Sequence, residues 1–169
     1  MAIQLSKDKI DEAINTIIEY GGDGIQRCVQ CGACSSVCPG VQAGFPVLCR
    51  LLIKKLQDGL LEDIIEEQSS WGCQNCNRCT EVCPQGVRPQ EVVIAFRRYQ
   101  ANELAFSTST VSAQMQLHDI GHAVFTEAGE LREGVGLPGK APTSAYNEKA
   151  QEEIQAILDN SPMAELGLF

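Results

Sequence analysis

Cys28-Val-Gln-Cys31-Gly-Ala-Cys34-Ser-Ser-Val-Cys38-Pro39 spaces four cysteines as Cys-x2-Cys-x2-Cys-x3-Cys-Pro. The spacing returns 45 residues later in Cys73-Gln-Asn-Cys76-Asn-Arg-Cys79-Thr-Glu-Val-Cys83-Pro84, and the two runs take up eight of the nine cysteines. Three thiolates two residues apart on one tight loop can reach three corners of a cubane. The fourth, further along and followed by proline, points elsewhere. The pattern is that of [4Fe-4S] ligation.

In two-cluster ferredoxins the last cysteine of such a run ligates the other cluster. On that pattern Cys28, Cys31, Cys34 and Cys83 are expected to hold one [4Fe-4S] cluster, and Cys73, Cys76, Cys79 and Cys38 the second. Structural zinc and a three-iron cluster stay open as alternatives. Zinc closes a tetrahedral site with paired Cys-x2-Cys knuckles and does not need three cysteines in a row at this spacing. Disulfides call for an oxidising compartment. Met1 to Asp11 is polar and charged with no apolar h-region, so no signal peptide is expected, and a cytoplasmic chain keeps its thiols reduced.

A chain of 169 residues predicts one domain, or one domain with an extension. The net charge of −9 argues against nucleic acid, which would need a basic face to neutralise phosphates. The most apolar stretches, Val47 to Ile53 and Val92 to Phe96, fall well short of the roughly 18 residues of a membrane span.

Around the cysteines the pattern is helical. Ile10, Ala13, Ile14, Ile17 and Ile18 recur at i, i+3, i+4, i+7 and i+8, with Ser6 placed to cap, Leu5 and Ile10 as a staple, and Gly21-Gly22 as a stop. Pro46 is expected to open a second helix through Val47, Leu48, Leu51, Leu52 and Leu56, ended by Asp58-Gly59. A short third helix, Leu60 to Glu67, would present Leu61, Ile64 and Ile65. Pro89 opens another, with Val92, Val93, Phe96 and Tyr99 on one side. Strand signals are nearly absent. A compact bacterial ferredoxin is a small βαββαβ unit, whereas here 34 residues, Pro39 to Gly72, separate the motifs and read as helix. The fold class expected is therefore mainly α: an α-helical ferredoxin over residues 1–106, with two [4Fe-4S] clusters and a C-terminal extension over residues 107–169.

The first motif, the helical spacer, and Trp71-Gly-Cys73-Gln-Asn-Cys76-Asn-Arg-Cys79-Thr-Glu-Val-Cys83-Pro84-Gln-Gly86-Val87 resemble the HdrC subunit of heterodisulfide reductase and its relatives, over about residues 5 to 105. Related modules occur in iron-sulfur subunits of succinate dehydrogenase, fumarate reductase, and glycolate and glycerol-3-phosphate oxidising complexes. With 27 residues ahead of Cys28, no plant-type [2Fe-2S] domain is expected there, and the sequence lacks the Cys-Cys-Gly segments of the catalytic HdrB subunit. The resemblance implies a non-catalytic relay in a hetero-oligomer. It would pass single electrons between two partners, an HdrA-like subunit that bears flavin and clusters, and an HdrB-like, Cys-Cys-Gly-containing subunit that handles the disulfide. The residues agree, since ligation consumes all eight motif cysteines and leaves no thiolate for a substrate. The alternatives are the iron-sulfur relay of another dehydrogenase, of fumarate reductase or glycolate oxidase type, and a free-standing ferredoxin-like carrier.

Several residues outside the motifs need a reading. Cys49, in an apolar helical pattern, is expected to pack in the core, with a spare ligand or redox-sensitive thiol as the alternative. Trp71 is expected to be ordinary core packing rather than a wedge against a cluster. Gly32 and Gly86 are placed to let backbone N–H groups approach sulfur, and Arg27 and Arg78 to favour reduced clusters. His118 and His122 lie four apart, but without partners for a metal site.

From Ser107 the composition changes. Ser107 to Ser112 is hydroxyl-rich, Gly129 to Pro142 holds four glycines and two prolines, and helical periodicity returns mainly in Asn147 to Asp159. Residues 107–169 carry nine acids against three bases, so most of the net charge lies here. With too few clustered apolar residues for a core of its own, this segment is expected either to lie along a neighbouring subunit in an extended way, anchored by the apolar end from Met163 to Phe169, or to be a solvated, partly disordered tail.

Overall fold

The computed structural model describes residues 5–45, 49–124 and 127–167. It divides into two compact units, one ending at Phe106 and one beginning at Ser107. Among the described residues there is no strand.

Three helices build the core of the first unit. Helix α1 (Lys7–Glu19) buries Ala13 and Ile17 and lays Ile14 and Ile18 along the same face. Ser6 is extended at the N-cap position but its side chain makes no capping bond, and Leu5 is 55 % exposed, so the expected staple buries little. The helix stops where expected: Gly21 takes φ 97°, and the N–H of Gly22 returns to the carbonyl of Ile17 at 2.8 Å.

Single turns α2 (Ala33–Ser36) and α3 (Pro39–Gln42) follow, the second opened by Pro39, whose missing N–H is unneeded at a helix start. The expected opening of the next helix, Pro46 to Leu48, lies outside the described residues. Helix α4 (Cys49–Gln57) buries Cys49, Leu52, Ile53 and Leu56, while Leu51 turns outward. It ends at Asp58-Gly59 as the sequence implies. Gly59 sits at φ +75°, and a Cβ there would lie 2.8 Å from the backbone of Lys9 and Ile10, so the chain reverses hard against the first turn of α1.

The expected helix over Leu60 to Glu67 does not form; the segment is a series of turns. Its backbone bonds mix two spans, Ile64 N–H to the Leu60 carbonyl but Ile65 N–H to Glu62 and Glu67 N–H to Ile64. Gln100 takes the carbonyls of Ile65 and Glu67 for its own Nε2, at 2.6 and 2.9 Å. Eight residues are too few to hold a helix against that competition. Leu61 and Ile64 are still buried, so the apolar spacing served packing rather than helix.

A single turn, α5 (Arg78–Glu81), precedes α6 (Pro89–Asn102), which buries Val92, Val93, Ala95 and Phe96. Helices α1, α4 and α6 each touch the other two. Ile17, Leu52, Ile53, Leu56 and Phe96 meet there fully buried, each side chain worth about 1.5–3 kcal/mol of transfer free energy. Tyr99 sets its ring edge-on to Tyr20, centroids 5.9 Å apart.

The second unit is helical, where an extended run was expected: α7 (Thr108–Ile120), α8 (Gly129–Gly134), α9 (Glu148–Asp159) and α10 (Pro162–Glu165). The hydroxyl-rich stretch supplies a cap, the Ser107 hydroxyl accepting from the Thr110 N–H at 3.2 Å, and Asn147 caps α9 in the same way from Ala150. Helices α7 and α9 touch, and Gln155 donates to the His118 carbonyl at 3.1 Å. None of the four helices buries a residue, consistent with a segment lacking a core of its own. Leu168 and Phe169 of the expected anchor lie outside the described residues.

Candidate metal centres

The two cysteine runs fold alike. Each is entered through a short 3₁₀ turn, Ile25–Arg27 before Cys28 and Gln68–Gly72 before Cys73, and each leaves into one helical turn, α2 or α5. Between the cysteines the backbone enters the left-handed region at matching positions. These are Gln30 (φ 60°) and Gly32 (φ 86°) in one loop, Asn75 (φ 55°) and Asn77 (φ 62°) in the other. Asparagine and glycine tolerate that conformation best, and the reversals curl each loop around its own thiols. Gly32 (φ +86°) and Gly86 (φ +59°) both take left-handed backbone, which a side chain would strain, and Gly32 lines the first hollow.

Turns α2 and α5 lie against each other, which buries Cys34 and Cys79 and crosses the loops. One small hollow is lined by Cys28, Cys31, Cys34 and Cys83, with the buried Ile53 and Val87 beneath and Arg50 at its edge. A second, of similar size, is lined by Cys38, Cys73, Cys76 and Cys79, joined by Cys49 and Arg78. Each hollow thus draws three thiols from one run and a fourth from the other. All nine cysteines are free thiols. Among the described residues no three His, Cys, Asp or Glu converge as they would on a single ion. Four thiols spread around an apolar-floored hollow are a donor set that suits an iron-sulfur cluster. Cys31 and Cys76 are exposed, leaving one edge of each hollow open to an approaching partner.

The thiols sit in unlike surroundings. Burial pushes Cys34 up, and it pushes Cys73 up against the lowering effects of the Asn75 backbone and the Arg97 charge. Cys49 is 2 % exposed and shares a side-chain hydrogen bond with Cys79 that holds Cys79 below the usual thiol range and raises Cys49. Its core packing matches the expectation from its apolar setting, and its place on the second hollow adds to it.

Other sequence candidates fall in less central places. Arg27 is exposed and donates to the Gly86 carbonyl at 2.9 Å, tying the first loop to the end of the second motif. Trp71 lines neither hollow; it packs against Phe106 with the Arg97 guanidinium 5.6 Å from its ring centre. His122 lies beyond the end of α7, so it does not share a helix face with His118. His118 instead places Nδ1 3.3 Å from Asp119 and Nε2 3.2 Å from Asp159.

Two residues that spacing does not single out hold the loops. Gln57, at the end of α4, gives Nε2 to the carbonyls of Ile25 and Cys28 at 3.0 and 3.2 Å, and its Oε1 accepts from Gln30. Arg97, on α6, gives Nε to the carbonyl of Ser70 and Nη2 to that of Cys73, both at 2.6 Å. Polar residues on otherwise amphipathic helices look like solvated positions in sequence, and only tertiary placement reveals them as tethers.

Residues 24–87 match the 4Fe-4S dicluster domain family. A protein of Archaeoglobus profundus that is like the C subunit of heterodisulfide reductase is 40 % identical over 161 residues, 95 % of this chain and 86 % of its own length. The iron-sulfur C subunit of the CoB–CoM heterodisulfide reductase of Methanopyrus kandleri is 34 % identical over 137 residues, 79 % of this chain and 70 % of its own. The C subunit of the H2:CoB–CoM heterodisulfide, ferredoxin reductase of Methanothermobacter thermautotrophicus is 32 % identical over 157 residues, covering 91 % and 84 %.

Proposed function

The chain belongs to the HdrC family of heterodisulfide reductase iron-sulfur subunits, and from that premise we propose that it is an electron-relay subunit holding two [4Fe-4S] clusters. Cys28, Cys31, Cys34 and Cys83 would ligate one, and Cys38, Cys73, Cys76 and Cys79 the other. The observation that carries this reading is the crossed lining of the two hollows, four thiols to each. Cys49 is the fifth thiol on the second hollow, but the shift of 45 residues that carries Cys38 onto Cys83 carries Cys49 onto Ile94. Symmetry therefore favours Cys38 as the ligand and leaves Cys49 as a neighbour.

Bound clusters supply one-electron chemistry. The chain's own part is to fix their ligands, floor the first site with Ile53 and Val87, line the second with Pro39 and Cys49, and leave the edges at Cys31 and Cys76 open. No thiol of the eight remains for a substrate, so the bond-making falls to partners in a cytoplasmic hetero-oligomer. One is an HdrA-like subunit with flavin and clusters of its own. The other is an HdrB-like, Cys-Cys-Gly-containing subunit that handles a disulfide or thiol. No helix among the described residues is long and apolar enough to cross a membrane.

Anaerobic isolation from the native host tests both levels. Roughly eight irons per chain and two reducible [4Fe-4S] signals by electron paramagnetic resonance (EPR) are expected, with both partner subunits co-purifying. About four irons, or zinc in their place, would overturn the two-cluster reading. A substrate-linked flavoprotein as the only companion would overturn the assignment of partners.

A further inference from the structure

The two loop tethers occupy equivalent places. The shift that superposes the cysteines carries Ile25 onto Ser70 and Cys28 onto Cys73, and those are the carbonyls that Gln57 and Arg97 bind. The same pair of backbone oxygens is held once by a neutral amide and once by a guanidinium. We propose that Arg97 orders the two cluster potentials, holding the cluster of Cys38, Cys73, Cys76 and Cys79 above that of Cys28, Cys31, Cys34 and Cys83. The assignment rests on the two-cluster reading above.

A reduced cluster carries one more negative charge than an oxidised one, so a fixed cation nearby favours reduction, and more strongly where water is excluded. Arg97 is such a cation. It is half-buried, its guanidinium is held by the carbonyls of Ser70 and Cys73, and Trp71 covers one face of it. It remains charged, because an arginine does not deprotonate in a protein.

The other groups at the hollows come in offsetting pairs. Each has one exposed arginine at its edge, Arg50 for the first and Arg78 for the second. Each has one polar neighbour beside its thiols, Gln30 donating to the Cys28 sulfur at 3.5 Å in the first and the Cys49 thiol on the lining of the second. Arg27 belongs to the first loop alone, but it is exposed and salt and water screen its charge. Arg97 is left as the half-buried charge without a counterpart. Its role is to tune and position, with no contact to a reacting atom.

The test is an EPR-monitored redox titration of the full chain, isolated anaerobically, as the unaltered protein and as Arg97→Gln, Arg97→Lys and Gln57→Arg. Arg97→Gln is expected to lower the upper midpoint and leave the lower one in place. The one-electron equilibrium between the clusters should shift on the order of tenfold, about 59 mV. Arg97→Lys, which keeps the charge, should restore most of it, and Gln57→Arg should raise the lower midpoint. With roughly eight irons retained, an unmoved upper midpoint in Arg97→Gln, or a shift in the lower one instead, overturns the proposal. If Arg97→Gln loses iron, Gln57→Arg decides alone: a raised lower midpoint supports the proposal and an unchanged one overturns it. Fewer than eight irons in the unaltered protein would instead strike the two-cluster reading itself.

Discussion

Replacing Gln100 with methionine keeps the volume of a fully buried side chain but removes three hydrogen bonds. The Ser70 hydroxyl, 1 % exposed, loses its acceptor 2.6 Å away and has no route to water, which costs about 1–3 kcal/mol. The carbonyls of Ile65 and Glu67 are part-buried and can be partly rehydrated, at about 0.5–1.5 kcal/mol each. The sum expected is about 2–6 kcal/mol, centred near 4. Ser70→Ala alone should cost about 1–2 kcal/mol, and the double variant should fall short of the two single effects added together by about 1 kcal/mol, because the shared bond is lost only once. Bound clusters break two-state behaviour, so the assay is oxygen-free guanidinium unfolding of the loaded chain, read by circular dichroism and by the visible absorbance of the clusters. Ser70 lies in the turn that leads into Cys73, so the variant should bleach before its helices melt. Unfolding within about 0.5 kcal/mol of the unaltered protein, with both signals lost together, would refute the reasoning.

Gly59→Ala combines a left-handed φ with a Cβ driven into the backbone of Lys9 and Ile10, and should cost on the order of 2–3 kcal/mol in the same assay; a neutral result would mean α1 shifts freely. Cys38→Ser should lose about half the iron, whereas Cys49→Ser should keep it all, as measured by metal analysis of anaerobic samples; the opposite pattern would exchange the roles of these two residues. His118 should titrate above its usual pKa of about 6.5, with Asp119 the larger cause and Asp159 the second. Because folding raises this pKa, the contribution of the charged histidine is complete below about pH 6.5 and is lost as pH rises through the folded value. Proton-monitored NMR of the His118 ring in unaltered and Asp119→Asn chains checks this, and identical titrations would remove the interaction.

Periodicity located α1, α4 and α6 because each buries one stripe of a long enough helix, and Pro89 and Asp58-Gly59 marked their ends. It failed between Leu60 and Glu67, where the same spacing of Leu61 and Ile64 arises in turns pinned from a distant helix by Gln100. It also missed α7, whose serines and threonines resemble a linker until Ser107 is seen accepting from Thr110. At the centres, cysteine spacing makes the grouping of the eight motif thiols around two hollows legible, because a chemistry that needs several thiols on one loop fixes their spacing. Gln57 and Arg97 were invisible for the converse reason: they bind backbone oxygens, and such contacts impose no pattern on the residues whose carbonyls are taken.

The crossing of the cysteine loops bears on how the protein can be damaged and divided. A fragment cut anywhere in the spacer between the motifs would own three thiols of one set and a single stray thiol of the other, so neither piece is a smaller working copy of the whole. For the same reason an oxidant that strips Cys83 opens the first hollow from a residue in the second run, and loss of Cys38 does the reverse. Each run thus holds a residue on which the other run's site depends, and neither site can be kept whole by protecting one run alone.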